Sequence, residues 1–497
     1  MIVIGAGIGG LSAALDLACR GASVTVIERS LRPGGKMREV EIDGHPIDSG
    51  PTVFTMPWVF EALFAEAGSA FEEHLTIRRA GLLARHAWPC GGRLDLFEDR
   101  ERSAAAIADF AGHSEAAGFH AFSDRASRVF KTLDASFIRN PRPSLISLIA
   151  TSGLRGLGDL WRLKAFRSLW SELGEYFRDP RLHSLFARYA TYCGASPLEA
   201  PATLMLIAHV EQCGVWRIEG GMQRLAEALA EALFRKGGEI RYGESATGVE
   251  VRGGRVVAVS LASGDRLPAD AVVANVDATS IANGALGTAA ASAMPGSTRR
   301  QRSLSAITWS LIAETSGFEL AHHNVFFPED YPREFEEIFG QGALPNRPAV
   351  YVCAQDDVDT HAEDRSPDGG FRRLFMITNA PADGDRVRRS EGEIDRHQSA
   401  VFALLNDCGL KIDPDRARRI VTTPSDFEDR FPGSGGALYG NPPHGWRSSF
   451  ARPSACSRLP GLYLAGGSVH PGPGVPMVAL GGRFAARAVA SDLGLSK

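Results

Sequence analysis

The chain has 497 residues, 44% of them hydrophobic, and a formal net charge of −4. That length allows about three average domains with a large core, and the charge leaves no basic footprint for nucleic acid. Its seven cysteines (Cys19, Cys90, Cys193, Cys213, Cys353, Cys408, Cys456) are scattered, with no C-x-x-C pair. Their number and spacing argue against a disulfide framework and a zinc site, and fit a reducing compartment.

The first element is a strand starting at Ile2-Val3-Ile4, which turns through Gly5-Ala6-Gly7-Ile8-Gly9-Gly10 into a helix. Leu11, Ala14, Leu15 and Ala18 recur at helical spacing, and Gly21 stops the helix before a second strand, Ala22 to Ile27, that ends on Glu28. This is a β-α-β unit shaped for a dinucleotide diphosphate. Gly5 permits the tight turn, Gly7 lets the backbone approach the phosphates, and Gly10 lets helix and strand pack closely. The anion would sit on the helix N-terminus beside Ile8 and Gly9, where free N–H groups and the dipole favour negative charge. Glu28 is placed to accept from ribose hydroxyls, with Arg29 beside it.

A second glycine turn follows in Pro33-Gly34-Gly35-Lys36, and then Asp48-Ser49-Gly50-Pro51-Thr52. A nicotinamide enzyme has no need of that turn. An extended flavin dinucleotide does, because the backbone must pass close to its diphosphate and sugar, with Lys36 adding charge on the phosphate side. FAD is therefore the expected cofactor, held in part by Gly50, Pro51 and Thr52.

From Pro141 to Trp170 many apolar residues are mixed with Arg142, Arg155, Arg162, Lys164 and Arg167 against a single acid, Asp159. Such a stretch suits a helix lying in an anionic bilayer interface, and equally an ordinary helix packed on the core. Further on, Gly220-Gly221-Met222 opens an amphipathic helix through Leu225, Leu229 and Leu233. Strand-like runs over 239–242, 246–252, 256–261 and 271–276 then read as a β-meander, with Val249 as a cofactor contact. Near the end, Leu462 to Leu464 reads as a buried strand running into Gly466-Gly467-Ser468. A Gly/Pro loop with His470, Val475, Pro476 and Met477 follows, and then a helix from about 478 to 493.

The fold class is therefore α/β: a Rossmann-type FAD-binding domain assembled from 1–85, 205–280 and 455–497, with a mixed α+β substrate domain from 86–204 and 281–454. A cofactor strand starting at residue 2 leaves no room for a signal peptide. The uncharged runs 278–298 and 465–482 are too rich in Gly, Pro and Ser to cross a bilayer. The expected location is cytoplasmic, peripheral at the inner face of the membrane.

Gly5-x-Gly7-x-x-Gly10, Gly34-Gly35-Lys36, Asp48-x-Gly50-Pro51-Thr52, Gly220-Gly221-Met222 and the segment Leu464 to Met477 together resemble the bacterial-type carotenoid desaturase family of flavoproteins. That family is related more distantly to the amine oxidases, and the resemblance covers nearly the whole chain. The blocks Tyr189 to Thr203 and His209 to Trp216 are similar to the 1-hydroxycarotenoid 3,4-desaturases. One departure stands out: Gly467-Ser468 occupies the place where many related oxidases carry Gly-Asp, so backbone amides or the Ser468 hydroxyl must serve the flavin there.

The resemblance implies an amine-oxidase-like architecture and removal of two hydrogens from adjacent carbons beside a polyene, with a new C3–C4 double bond in an acyclic 1-hydroxycarotenoid. Hydride passes to flavin N5 and the conjugated chain spreads the resulting charge, so the protein mainly aligns and shields the reactants. No metal is implied. His470 is the one titratable group nominated near the flavin, against a structural role in its loop; Glu211 is a weaker candidate. Burying about 40 carbons at roughly 0.8 kcal/mol each gives a gross term near ~30 kcal/mol, above the practical ceiling of about 18–21 kcal/mol. The substrate is therefore expected to arrive from lipid, with 141–170 as the candidate mouth and a quinone or oxygen as electron acceptor. Phytoene desaturation and carotenoid cis–trans isomerisation are the alternative activities of the same family. A flavin-free lipid carrier and an amine oxidase fit the glycine motifs and the apolar middle less well.

Overall fold

The computed structural model describes residues 1–89, 91–143, 166–295, 301–356 and 371–495. Five short strands form one parallel sheet in the order Leu462–Leu464, Val272–Ala274, Ile2–Ile4, Thr25–Glu28, Glu239–Tyr242. The chain's start, its middle and its end thus lie side by side, with Ile2 opposite both Thr25 and Val272.

Continuous apolar runs suit strands buried on both faces. Alternation along the strands sends Val3, Val26, Val273 and Tyr463 to one face, against helices Ile8–Cys19, Gln223–Arg235 and Val475–Leu493. Ile2, Ile4, Ile27, Val272 and Leu462 face the other way, onto Val256, Val259 and Leu261. The first and last helices pack closely enough that a Cβ at Gly482 would lie 2.1 Å from the Gly9 carbonyl oxygen. The meander reading needs correction here. Only Ala246–Arg252 and Arg255–Leu261 are antiparallel neighbours, joined by Arg266–Pro268, which the sequence pattern missed. The flanking strands Glu239–Tyr242 and Val272–Ala274 belong to the parallel sheet instead.

An eight-stranded sheet dominates the other half, with Ser305–Ser316, Phe371–Ala380, Val350–Ala354, His323–Phe326, Leu82–Ala87 and Arg93–Phe97 as consecutive neighbours. Leu374 and Met376 pack against helix Glu391–Asp407 through Val401, Leu404 and Leu405. The intervening Phe375, Ile377 and Asn379 point into a large cavity. Helices His113–Leu133, Pro180–Ala187 and Leu206–Gln212 close the far side. Strand Leu82–Ala87 crosses the expected boundary at 85/86, and helix Leu206–Gln212 packs on His113–Leu133 rather than on the parallel sheet.

Candidate functional site

A single cavity of about 1130 Å³ runs from the carboxyl ends of the parallel strands to the inner face of the large sheet. That exceeds the roughly 300–1,000 Å³ of an ordinary small-molecule pocket, as a space for both a dinucleotide and a long substrate must. Open α/β sheets place ligands at strand carboxyl ends for a physical reason: helix N-termini and free loop amides converge there.

The dinucleotide end is built largely from backbone. Gly5, Gly7, Ile8, Gly9, Glu28, Arg29, Gly34, Gly35 and Lys36 line it, and so do Gly50, Pro51 and Thr52. Gly466, Gly467, Ser468, Val475, Pro476 and Met477 enter from the chain's end. The two glycine turns touch: Gly34 N donates to Ala6 O at 2.8 Å. Gly34 has φ +116°, and a Cβ there would lie 2.2 Å from Met37 O, so a side chain has no room. The Glu28 carboxylate accepts from Ala6 N at 2.7 Å and Ser30 N at 2.8 Å, which holds both oxygens at the cavity wall with lone pairs left for ribose hydroxyls. Helix Ile8–Cys19 and helix Val475–Leu493 both begin at the cavity, so two positive dipole ends face whatever it holds. These residues fit FAD: the first helix and its turn suit the diphosphate, Glu28 the ribose, and the second helix a ring that gathers negative charge.

Gly10 has the close-packing role expected of it, since a Cβ there would meet Gly5 O at 2.0 Å, and it does not line the cavity. Several other residues act differently from expectation. Val249 also lies off the cavity wall; its N–H donates to Leu286 O, and Ala246 and Leu286 are the lining residues there. Gly220-Gly221-Met222 works one layer back, with Met222 N donating to Asp48 at 2.8 Å. Burial raises the Asp48 carboxyl to about 6. Lys36 turns from the expected phosphate side: its ammonium donates to Leu438 O at 2.8 Å and Ala437 O at 3.3 Å, and burial lowers its pKa. The Ser468 hydroxyl accepts from Ala278 N at 2.8 Å.

His470 is not a lining residue. Its Nε2 lies 2.9 Å from Asn140 O and 3.1 Å from Phe137 O, the ring packs on Phe137 and Phe484, and burial lowers its pKa to about 4. A neutral imidazole committed to two carbonyls has no part in proton transfer at the cavity, so its structural role corrects the catalytic nomination. Glu211 does line the cavity, and it accepts from the Tyr189 and Tyr192 hydroxyls at 2.8 and 2.5 Å rather than from a cation.

Sequence reasoning missed Asn275 and Arg452. Asn275 follows strand Val272–Ala274, and its side-chain amide sits against the first glycine turn, 3.3 Å from Gly5 O, Gly7 N and Gly10 N. Arg452 lines the cavity and donates to Tyr439 O and Gly467 O. Only the position directly after a strand of the parallel sheet could have singled out Asn275. His322, His323 and Cys353 also converge, with ligand atoms within 4.8 Å of one another, because His323 and Cys353 are cross-strand partners. Burial depresses the pKa of both histidines, and Arg217 adds to it at each.

Beyond the flavin end the walls are apolar: Leu204, Leu206, Ile207, Val210, Phe375, Ile377 and Phe450. Of the candidate mouth, 144–165 lie outside the described residues. Phe166 lines the cavity, is 69% exposed, and packs edge-on against Trp446 at 5.1 Å. Among the described residues no helix is long and apolar enough to cross a membrane.

A glycine-walled dinucleotide site opening into an apolar chamber is the plan of a flavoprotein oxidoreductase, and the chain belongs to the flavin containing amine oxidoreductase family, whose model matches residues 8–490. It is 51% identical to a hydroxyneurosporene desaturase of Rubrivivax gelatinosus, over 99% of this chain and 93% of that one. A hydroxyneurosporene desaturase of Rhodobacter capsulatus is 43% identical over 99% and 98%. Among solved structures, an oxidoreductase from Methanosarcina mazei shares the fold with a TM-score of 0.62 at 18% identity, covering 99% of each chain.

Proposed function

We propose that this protein is an FAD-dependent carotenoid desaturase that introduces a double bond, at C3–C4, into an acyclic 1-hydroxycarotenoid such as 1-hydroxyneurosporene. The observation that carries the reading is the continuity of one cavity from the dinucleotide turns to a chamber walled by leucine, isoleucine and phenylalanine. Full-length similarity to two hydroxyneurosporene desaturases supports the substrate class.

When bound, the flavin supplies the two-electron oxidation. The chain does the rest. Its largely apolar walls take a polyene out of lipid, and they exclude water from the reacting carbons. Neither His470 nor Lys36 offers a free base, which suits a substrate whose protons are lost only as charge develops on a conjugated chain. Exposed Phe166 at the cavity wall supports peripheral contact with a membrane and entry from it. A quinone or oxygen then reoxidises the cofactor.

The test is incubation of the holoprotein with liposomes carrying 1-hydroxyneurosporene or phytoene. The expected product is a red-shifted hydroxylated polyene with one more conjugated double bond, together with consumption of an electron acceptor. Turnover of phytoene alone would assign the earlier desaturation. A change of geometry without acceptor consumption would assign an isomerase.

A further inference from the structure

The chamber is not uniformly apolar. Arg188 lines it with a guanidinium that carries five N–H donors. Among the described residues it has one hydrogen bond, to the Tyr192 hydroxyl at 3.4 Å, and no ion pair. It sits over the Tyr192 ring at 5.2 Å and the Tyr351 ring at 5.6 Å. Tyr331 also lines the chamber; it is 1% exposed, and its hydroxyl is without a hydrogen-bond partner among the described residues. Guanidinium N–H groups and a phenol hydroxyl without protein partners leave hydrogen-bonding capacity for a ligand to complete.

The chemistry of that ligand is constrained. Arg188 needs an acceptor, and Tyr331 takes a donor or an acceptor; an alcohol is both at one atom. An anion fits less well, because a counter-charge is already present. Glu211 accepts from Tyr192, which is also the partner of Arg188, so guanidinium, phenol and carboxylate form a neutral chain. The location is also constrained. The Tyr351 hydroxyl, on the ring beneath Arg188, is 2.6 Å from Thr52 Oγ1, in the turn assigned to the flavin. The polar spot therefore adjoins the reacting end of the cavity. In a 1-hydroxylated polyene the oxygen is only three bonds from C3, so a seat for it must lie there.

We infer that Arg188 and Tyr331 form the seat for the substrate's tertiary hydroxyl, and thereby set which C–C bond faces the flavin. The inference rests on the desaturase reading above and names the residues that choose the substrate within it. Both are positioning residues; neither takes part in bond breaking.

The experiment compares wild type, Tyr331→Phe and Arg188→Met as FAD-loaded proteins. Dissociation constants are measured for 1-hydroxyneurosporene and for neurosporene, which lacks the hydroxyl, from the polyene absorbance shift, alongside kcat/KM for each. Wild type is expected to favour the hydroxylated polyene, and each variant to reduce that preference roughly 10- to 100-fold in both ratios, mainly through binding and KM. Without polyene, Tyr331→Phe is expected to melt no lower than wild type, since it removes a hydroxyl with no partner. If one variant fails to fold, the other carries the same ratios. Ratios within twofold of wild type overturn the inference, as do loss of FAD from Arg188→Met or tighter binding of a carboxylate-ended polyene. Selective binding of the hydroxylated polyene with no oxidation of it by wild type would instead overturn the desaturase reading and leave the seat standing.

Discussion

The two ends of the cavity are made of different material. At the dinucleotide end the walls are peptide backbone, drawn so close that added atoms have nowhere to go: Gly34 against Met37, Gly10 against Gly5, Gly482 against Gly9. At the chamber end the walls are side chains from distant parts of the chain, such as Ile207 on a helix and Phe375 on the large sheet. The first end is vulnerable to adding a methyl group. The second is vulnerable to changing a polar atom, and tolerates apolar exchange of similar volume.

The sharpest way to break this contrast is Gly34→Ala. A methyl 2.2 Å from Met37 O, at a positive φ, should give protein that purifies without visible flavin absorbance, and stoichiometric flavin in that variant would refute the backbone-wall account. Next comes Glu28→Gln. An amide can accept from only one of Ala6 N and Ser30 N and must turn an NH₂ toward the other, so FAD should bind about 10- to 100-fold more weakly by titration of the apoprotein.

Buried groups behind the cavity walls should respond to acid in opposite directions. Burial lowers His86 and His322 to about 3, and His397 and His470 to about 4. The unfolded chain protonates these groups near the ordinary 6.5 while the native state excludes the proton. Their contribution is thus complete above 6.5 and lost as pH falls toward 4, which a urea midpoint series should show as a steady decline. Asp48 runs the other way. Its native value of about 6 exceeds the ordinary 3.8, so its contribution is present below 3.8 and lost as pH rises through 6. Asp48→Asn keeps an acceptor for Met222 N and should stabilise the protein at pH 7, by up to about 3 kcal/mol. An unchanged midpoint there would remove Asp48 from the account. The smallest effect is expected for Phe166→Ser: a few-fold slower turnover from liposomes, with the rate in detergent micelles preserved. Equal slowing in both would end its role at the membrane.

The glycine turns and Glu28 were legible because the features that make a diphosphate site lie within one contiguous stretch, 2–36, and are properties of the backbone. Lys36 shows where that legibility stops. Its place in the motif was evident, yet its ammonium donates to Leu438, 402 residues away in sequence. The direction of a long side chain depends on which distant carbonyl the fold brings near, and no local pattern encodes that. His470 was nominated from its place in a loop near the flavin, and was reassigned because Phe137 and Asn140 arrive from another segment to accept from it. The cross-strand meeting of His323 with Cys353 was invisible for the same reason.

By itself the sequence determined the dinucleotide site and the parallel α/β frame, since turn geometry, strand burial and helix dipoles follow from residues adjacent in the chain; the desaturase-type chemistry entered through the resemblance of its motifs to a known family. Only the tertiary structure decided what the chamber asks of its substrate. Arg188 and Tyr331 lie 143 positions apart, one after a short helix and the other at the start of another, and they share a cavity because the large sheet and the helical layer pack face to face. Unmatched polarity is a property of that enclosure, which exists only once the walls have closed.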